Sequence, residues 1–281
     1  EAAFAAILED GNVVTWGDAG HGGDSSEVRD QLRNVQRIYA TDFAFAAILA
    51  DGSTVTWGSP ESGGDSSRVR DQLRNVQELQ STDHAFAAVL ADRTVVTWGD
   101  PSCGGDSRRV RDKLKNVKQV HATESAFAAI LAHGAVVTWG APHSGGASKG
   151  VQRYLKKVQQ IAATDCAFAA ILEEGSVVTW GSVAHGADSS QVRDELREVQ
   201  EIHATGMAFA AILANGRVVT WGAPACGGDS RAVQDQLQNV QQVHATDYAF
   251  TALLSDGTVV PWGDPQKDSS NDTLQAQLDF T

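Results

Sequence analysis

The stretch Ala44-Phe-Ala-Ala-Ile-Leu-Ala-Asp-Gly-Ser-Thr-Val-Thr-Trp-Gly58 decides the fold. Its first six residues are continuously apolar, as in a strand covered on both faces. Asp51-Gly52 is a strong hairpin signal and predicts positive φ at both central residues. Thr54-Val-Thr-Trp57 then reads as a second strand. Upstream, Val35-Gln-Arg-Ile-Tyr-Ala-Thr41 is rich in β-formers and supplies a third. Downstream the period changes. In Asp65-Ser-Ser-Arg-Val-Arg-Asp-Gln-Leu-Arg-Asn-Val76 the apolar residues Val69, Leu73 and Val76 fall at i, i+4 and i+7, which predicts a short helix. Asp65 would cap its first amides, and Arg74 would suit its far end.

This unit recurs along the whole chain. Trp16, Trp57, Trp98, Trp139, Trp180, Trp221 and Trp262 each stand 41 residues after the last, and each is followed by Gly. An Ala-Phe pair recurs in step, from Ala3-Phe4 to Ala249-Phe250, and so does a Leu, from Leu8 to Leu254. A fixed period of this size marks a repeat architecture. The units run at about 1–34 (incomplete), 35–75, 76–116, 117–157, 158–198, 199–239 and 240–281, as one repeat domain. Arg93 stands where the other copies have the turn Gly, so the third copy should be slightly strained. Seven units without capping repeats point to a closed ring rather than an open solenoid. The expected fold class is therefore mixed α/β: a closed seven-bladed propeller-like ring, each repeat three antiparallel strands plus one short outer helix that shields the sheet edge. Positions equivalent to 36–41 are missing at the seam, so one blade should lack its first strand. Asn271–Thr281 depart from the pattern there.

Composition narrows function. The 281 residues are 42% hydrophobic and 20% charged, enough for a real core. Lys and Arg total 22 against 35 Asp and Glu, a net charge of −13, which disfavours nucleic-acid or anionic-membrane binding. Cys103, Cys166 and Cys226 give no disulfide framework, and free thiols are expected. No apolar run reaches the length of a membrane helix. These features fit an intracellular monomer, in cytoplasm or nucleus, and the start within a repeat suggests a trimmed chain.

The run Ala40-Thr-Asp-Phe-Ala-Phe-Ala-Ala-Ile-Leu-Ala-Asp-Gly52, followed by Val55-Thr-Trp-Gly58, resembles the tandem repeat of the regulator of chromosome condensation, also found in HERC-type ubiquitin ligases and the plant ultraviolet-B photoreceptor. The resemblance spans nearly the whole chain and implies a seven-bladed propeller. Family repeats are usually longer and four-stranded. Thr41 and Ala44 replace the usual Gly and His, and Gly22-Gly23-Asp24-Ser25 replaces the Gly-Gln-Leu-Gly loop. The strict spacing leaves no room for the wedge that the family's nucleotide exchange uses. The photoreceptor's Gly-Trp-Arg-His-Thr cluster has no match, and no ligase catalytic domain is present within these residues.

Candidate sites remain. The Trp column could be stacking platforms for sugars, but large indoles are usually core. Helix starts can bind anions, and the loop His143, Ser144, Gly145, Gly146, Ala147, Ser148, Lys149 lacks the Asp of its counterparts and adds a cation. A basic cluster, Arg108, Arg109, Arg111, Lys113, Lys115 and Lys118 with Arg153, Lys156 and Lys157 in the next unit, could dock an acidic partner; a solvated face is the plainer reading. His21, His185, Cys103 and Cys226 share a loop slot in separated units, so no metal site is expected. His121, His203 and His244 share a strand slot and should form a solvent-facing stripe. No nucleophile, base and orienting group converge, so neither catalysis nor a cofactor is expected. The expected function is a non-enzymatic scaffold for a protein partner, or a designed chain without ligand. A multivalent lectin-like or anion binder is the alternative, and a guanine nucleotide exchange factor ranks last.

Overall fold

A computed structural model describes residues 2–264. The departures at Asn271–Thr281 lie outside them. The chain divides into two compact units, Glu1–Ser148 and Lys149–Thr281.

The first unit holds four antiparallel sheets. β1 (Ala3–Ile7) pairs with β2 (Val13–Gly17). The other three have three strands each: β3 (Val35–Ala40), β4 (Ala44–Leu49) and β5 (Thr54–Gly58); β6 (Val76–Ser81), β7 (Ala85–Leu90) and β8 (Val95–Gly99); β9 (Val117–Ala122), β10 (Ala126–Leu131) and β11 (Val136–Gly140). The second unit repeats the pattern with β12 (Val158–Ala163), β13 (Ala167–Leu172) and β14 (Val177–Gly181), then β15 (Val199–Ala204), β16 (Ala208–Leu213) and β17 (Val218–Gly222), then β18 (Val240–Ala245), β19 (Ala249–Leu254) and β20 (Val259–Gly263). In each three-stranded sheet the first and third strands flank the middle one. The first sheet, as the seam implies, has no first strand among the described residues.

Middle strands are buried on both faces, which explains their unbroken apolar reading. Ala44, Ala46 and Ala47 of β4 are completely enclosed. Without bulk, they let the next sheet approach closely. One core cluster joins Ala44, Ala46 and Ile48 of β4 to Leu73, Val76 and Leu79, and these to Phe86 and Trp98 of the following sheet. The core of the first unit thus lies between consecutive sheets. Each buried Phe contributes roughly 1.5–3 kcal/mol. Phe86 stacks on Trp98 with ring centroids 5.2 Å apart.

One turn expectation needs correction. Gly52 has φ 78, but Asp51 is not in the positive-φ region, so only one central residue is left-handed. The turn closes with the Gly52 amide on the Leu49 carbonyl at 2.9 Å and the Leu49 amide on Ser53 at 2.9 Å. Asp51 instead accepts the Ser53 amide through its side chain at 2.9 Å, which holds the loop without a left-handed Asp.

The expected outer helix is absent among the described residues, and the fold there is mostly β rather than mixed. In its place stand turns and three-residue 3-10 segments, such as Ser26–Val28, Arg70–Gln72 and Arg111–Lys113. The Leu73 amide reaches Val69 at 3.2 Å and Arg70 at 3.2 Å, a single helical turn. Three features stop it. Asp65 turns its carboxylate onto the Ser67 amide at 2.8 Å in a local turn. Asn75 takes φ 55, which breaks a right-handed helix. Val76 opens β6, so the i+7 member of the stripe belongs to a strand. Leu73 is still buried, as its spacing predicted.

Candidate binding groove

Repeated residues mostly hold the repeats together. Gly63 takes φ 99, and a side chain there would press within 2.5 Å of the Phe86 ring, so only glycine fits. That leaves the Gly63 carbonyl free to accept the Trp98 indole N–H at 2.9 Å. The same bond joins Trp57 to Gly22, Trp139 to Gly104, Trp221 to Gly186 and Trp262 to Gly227. Thr123 accepts the Ala126 amide at 3.0 Å and donates to the Ser144 carbonyl at 3.0 Å, tying the Gly-Gly loop to the turn before β10. Six of the seven Trp residues are buried, so they are core, as expected. Their faces are not available for stacking sugars, which corrects the lectin-like alternative. Trp16 alone is exposed, at 51%.

What varies between repeats is the third strand's outer edge. In the second unit, the Gln234 amide donates to the Val218 carbonyl of β17 at 3.0 Å and covers that edge. The equivalent slot beside β8 holds Arg111, whose guanidinium turns to Gln72 Oε1 at 3.3 Å. Two adjoining cavities of about 830 and 340 Å³ follow β8. Val95, Val96 and Gln72 line both, and Arg111 stands beside them. Pro60, Val69 and Trp98 continue the wall at one end and Lys115 closes the other. β8 is an edge strand of its sheet, so the groove exposes a strand border lined by Arg68, Arg108, Arg111 and Lys115 and also by Glu61, Asp65, Asp100, Asp106 and Asp112.

The basic cluster divides between the two units. In the first, Arg108, Arg109, Lys113 and Lys115 are exposed. Arg108 is engaged by Asp106, its Nε donating at 2.9 Å, and this bond holds the Asp106 carboxyl down at about 2. Lys118, the second residue of β9, is also exposed. In the second unit Lys156 and Lys157 are exposed, and Lys157 pairs with Glu173 at 2.6 Å. His143 is exposed, whereas Ser144, Gly145 and Ser148 are buried. Gly146 is half-buried and Lys149, which opens the second unit, is exposed. No α-helix begins at this loop, so the helix-dipole reason for anion binding there does not apply.

His121 and His203 are half-buried and His244 is exposed, so the expected solvent-facing stripe holds only in part. Burial pushes His121 down to about 4. His203 is lowered by burial too, against the opposing Glu201 carboxylate 3.3 Å away. None of the three cysteines forms a disulfide. No cluster of three or more metal-ligating side chains occurs among the described residues, and no helix there is long and apolar enough to cross a membrane.

Sequence reasoning missed the groove. The slot itself carries no signal for it: the column reads Arg29, Arg70, Arg111, Gln152, Arg193 and Gln234, so Arg111 does not mark β8 out from the other edges.

A comparison with protein-family models finds no match, and a comparison with curated proteins finds none. Solved structures do resemble the chain. Human WBSCR16 matches at 16% identity and TM-score 0.51, over 81% of this chain and 76% of that one. Prp20p from Saccharomyces cerevisiae matches at 16% identity and TM-score 0.50, over 99% and 84%. Yeast RCC1 (Prp20) bound to Kap60 matches at 14% identity and TM-score 0.52, over 94% and 79%. The fold is thus that of an RCC1-like β-propeller in tandem repeats.

Proposed function

We propose that the chain is a non-enzymatic scaffold for protein–protein interaction, its seven sheets acting as the blades of a closed ring. The groove along β8 is its docking site, and the partner is an extended, acidic segment. The observation that carries the reading is the edge strand itself: a strand border takes an added strand through its backbone, while Arg111 and Lys115, opposed in the smaller cavity only by Asp112, attract carboxylates. A fold neighbour seen bound to a protein, yeast RCC1 with Kap60, supports the class of function but not the partner.

A fluorescein-labelled peptide of alternating Glu and Val is the probe. Saturable binding that weakens at least tenfold in the Arg111→Glu/Lys115→Glu double variant, and weakens with salt, is the expected result. Equal binding by a Gln-Val peptide, or no loss in the variant, refutes the reading.

A further inference from the structure

One hairpin turn carries a reactive dipeptide. Asn215 is followed by Gly216, whereas Asn12, Asn34, Asn75, Asn116 and Asn239 are followed by Val and Asn271 by Asp. The chemistry at stake is attack by the next residue's backbone nitrogen on the Asn side-chain carbonyl. A β-branched Val crowds that nitrogen, and glycine leaves it open. Asn215 is exposed, at the tip of the hairpin between β16 and β17.

The turn prepares both reacting groups. The Asn215 side-chain carbonyl accepts the Arg217 amide at 3.0 Å. That donor fixes the direction of the carbonyl and stabilises the negative charge its oxygen gains on attack. The Gly216 nitrogen donates to the Leu213 carbonyl at 2.9 Å, so it reacts when that one bond, at the end of a strand, opens. The bonds around it hold the rest of the hairpin: the Leu213 amide reaches the Arg217 carbonyl at 2.9 Å, and the Val240 amide reaches the Gly216 carbonyl at 2.9 Å. Gly216 takes φ 74, and a side chain there would come within 2.9 Å of the Asn239 Cα. The fold itself therefore demands glycine at the attacking position.

We propose that Asn215 is a site of spontaneous deamidation in the folded chain. The Gly216 nitrogen gives its proton to solvent base and bonds to Asn215 Cγ. The Cγ–Nδ2 bond breaks, and the nitrogen leaves as ammonia after taking a proton from water. Water then opens the cyclic imide. Cleavage of the new N–Cγ bond gives an aspartate, and cleavage of the original peptide bond gives a β-aspartyl linkage; no oxidant or reductant takes part. The turn already accommodates the aspartate. Asp10, Asp51 and Asp256 occupy the same slot before a Gly, and their carboxylates accept the amide two residues on at 3.0, 2.9 and 2.9 Å. The reaction thus places a negative charge beside Arg217 and leaves the turn standing. The β-aspartyl form adds a carbon to the backbone and disturbs the Leu213–Arg217 pairing. The site shares no residue with the β8 groove and does not depend on that reading.

The full, folded chain is incubated in mildly alkaline buffer and digested with trypsin at intervals, with a zero-time digest as background. Residues 198–217 come off as one fragment, because Arg197 and Arg217 bound it and no Lys or Arg lies between. Mass spectrometry should show amide-to-acid exchange and β-aspartyl linkage at position 215. The change should run at least tenfold faster than at any other Asn, and faster as pH rises. Asn215→Gln should abolish it, because the longer side chain closes a ring far more slowly. Asn215→Asp should keep the circular dichroism and denaturation midpoint of the parent. Another Asn reacting as fast, a rate indifferent to pH, or reaction only after urea has unfolded the chain would each overturn the proposal. An Asn215→Asp chain that fails to fold would overturn the acceptance of the product by the turn.

Discussion

The indole nitrogen of Trp98 donates to the carbonyl of Gly63, 35 residues upstream, at 2.9 Å. The bond is buried and couples a third strand to the loop of the preceding repeat. It does so only because Gly63 is left-handed and carries no side chain. The Trp column thus serves as a row of fasteners.

Truncating a fastener should be costly. Trp139 is 4% exposed and bonds to Gly104, so Trp139→Ala should lower stability by about 3–5 kcal/mol. Trp16→Ala removes an exposed ring and should cost under about 1 kcal/mol. Paired urea melts of the two variants check the contrast.

Arg93 is the one turn residue of its column that must take φ 65 with a side chain, where Gly11, Gly52 and Gly134 take φ 77, 78 and 79. Arg93→Gly should therefore stabilise the chain by about 0.5–1 kcal/mol, read as a higher denaturation midpoint at unchanged slope.

Thr123 is buried and serves two backbone groups. Thr123→Val keeps the shape but strands the Ala126 amide and removes a bond from the Ser144 carbonyl. A loss of about 1–3 kcal/mol is expected in chemical denaturation.

His121 gives the acid limb of stability. Burial lowers it from the ordinary 6.5 to about 4, and its Nε2 is enclosed without a partner. The unfolded chain takes up the proton below about pH 6.5, while the folded chain resists until about pH 4. Its stabilising effect is complete above the unfolded value and is lost as pH falls through that window, by about 3 kcal/mol. Gln80 occupies the equivalent slot, so His121→Gln should fold and flatten stability between pH 6.5 and 4. Denaturation midpoints across that range measure it.

The strands were legible because each carries a local pattern. Ala126-Phe-Ala-Ala-Ile-Leu131 is apolar throughout and buried throughout. The failed helix shows where local pattern misleads. Val69 and Leu73 have helical spacing, but Val76 answers to β7, with Leu90 opposite it in register. Asn75 could have warned of this, since Asn tolerates the left-handed region. Lys157 and Glu198 adopt the same φ 55 with no such signature, because the tertiary junction imposes it. The basic cluster was readable as composition. Its pairing of Arg108 with Asp106, and the turning of Arg111 away from β8 toward Gln72, depended on neighbours the string does not reveal.

The junction carried by Gly63 and Trp98 also bears on how such an array can grow. Its two halves sit on successive copies, so inserting or deleting a whole 41-residue module restores every seam it cuts. Cutting mid-module leaves one indole donor and one carbonyl acceptor without mates. Gene duplication in full periods therefore keeps every Trp–Gly fastener of this chain, while a slip of any other length leaves a donor and an acceptor unmatched.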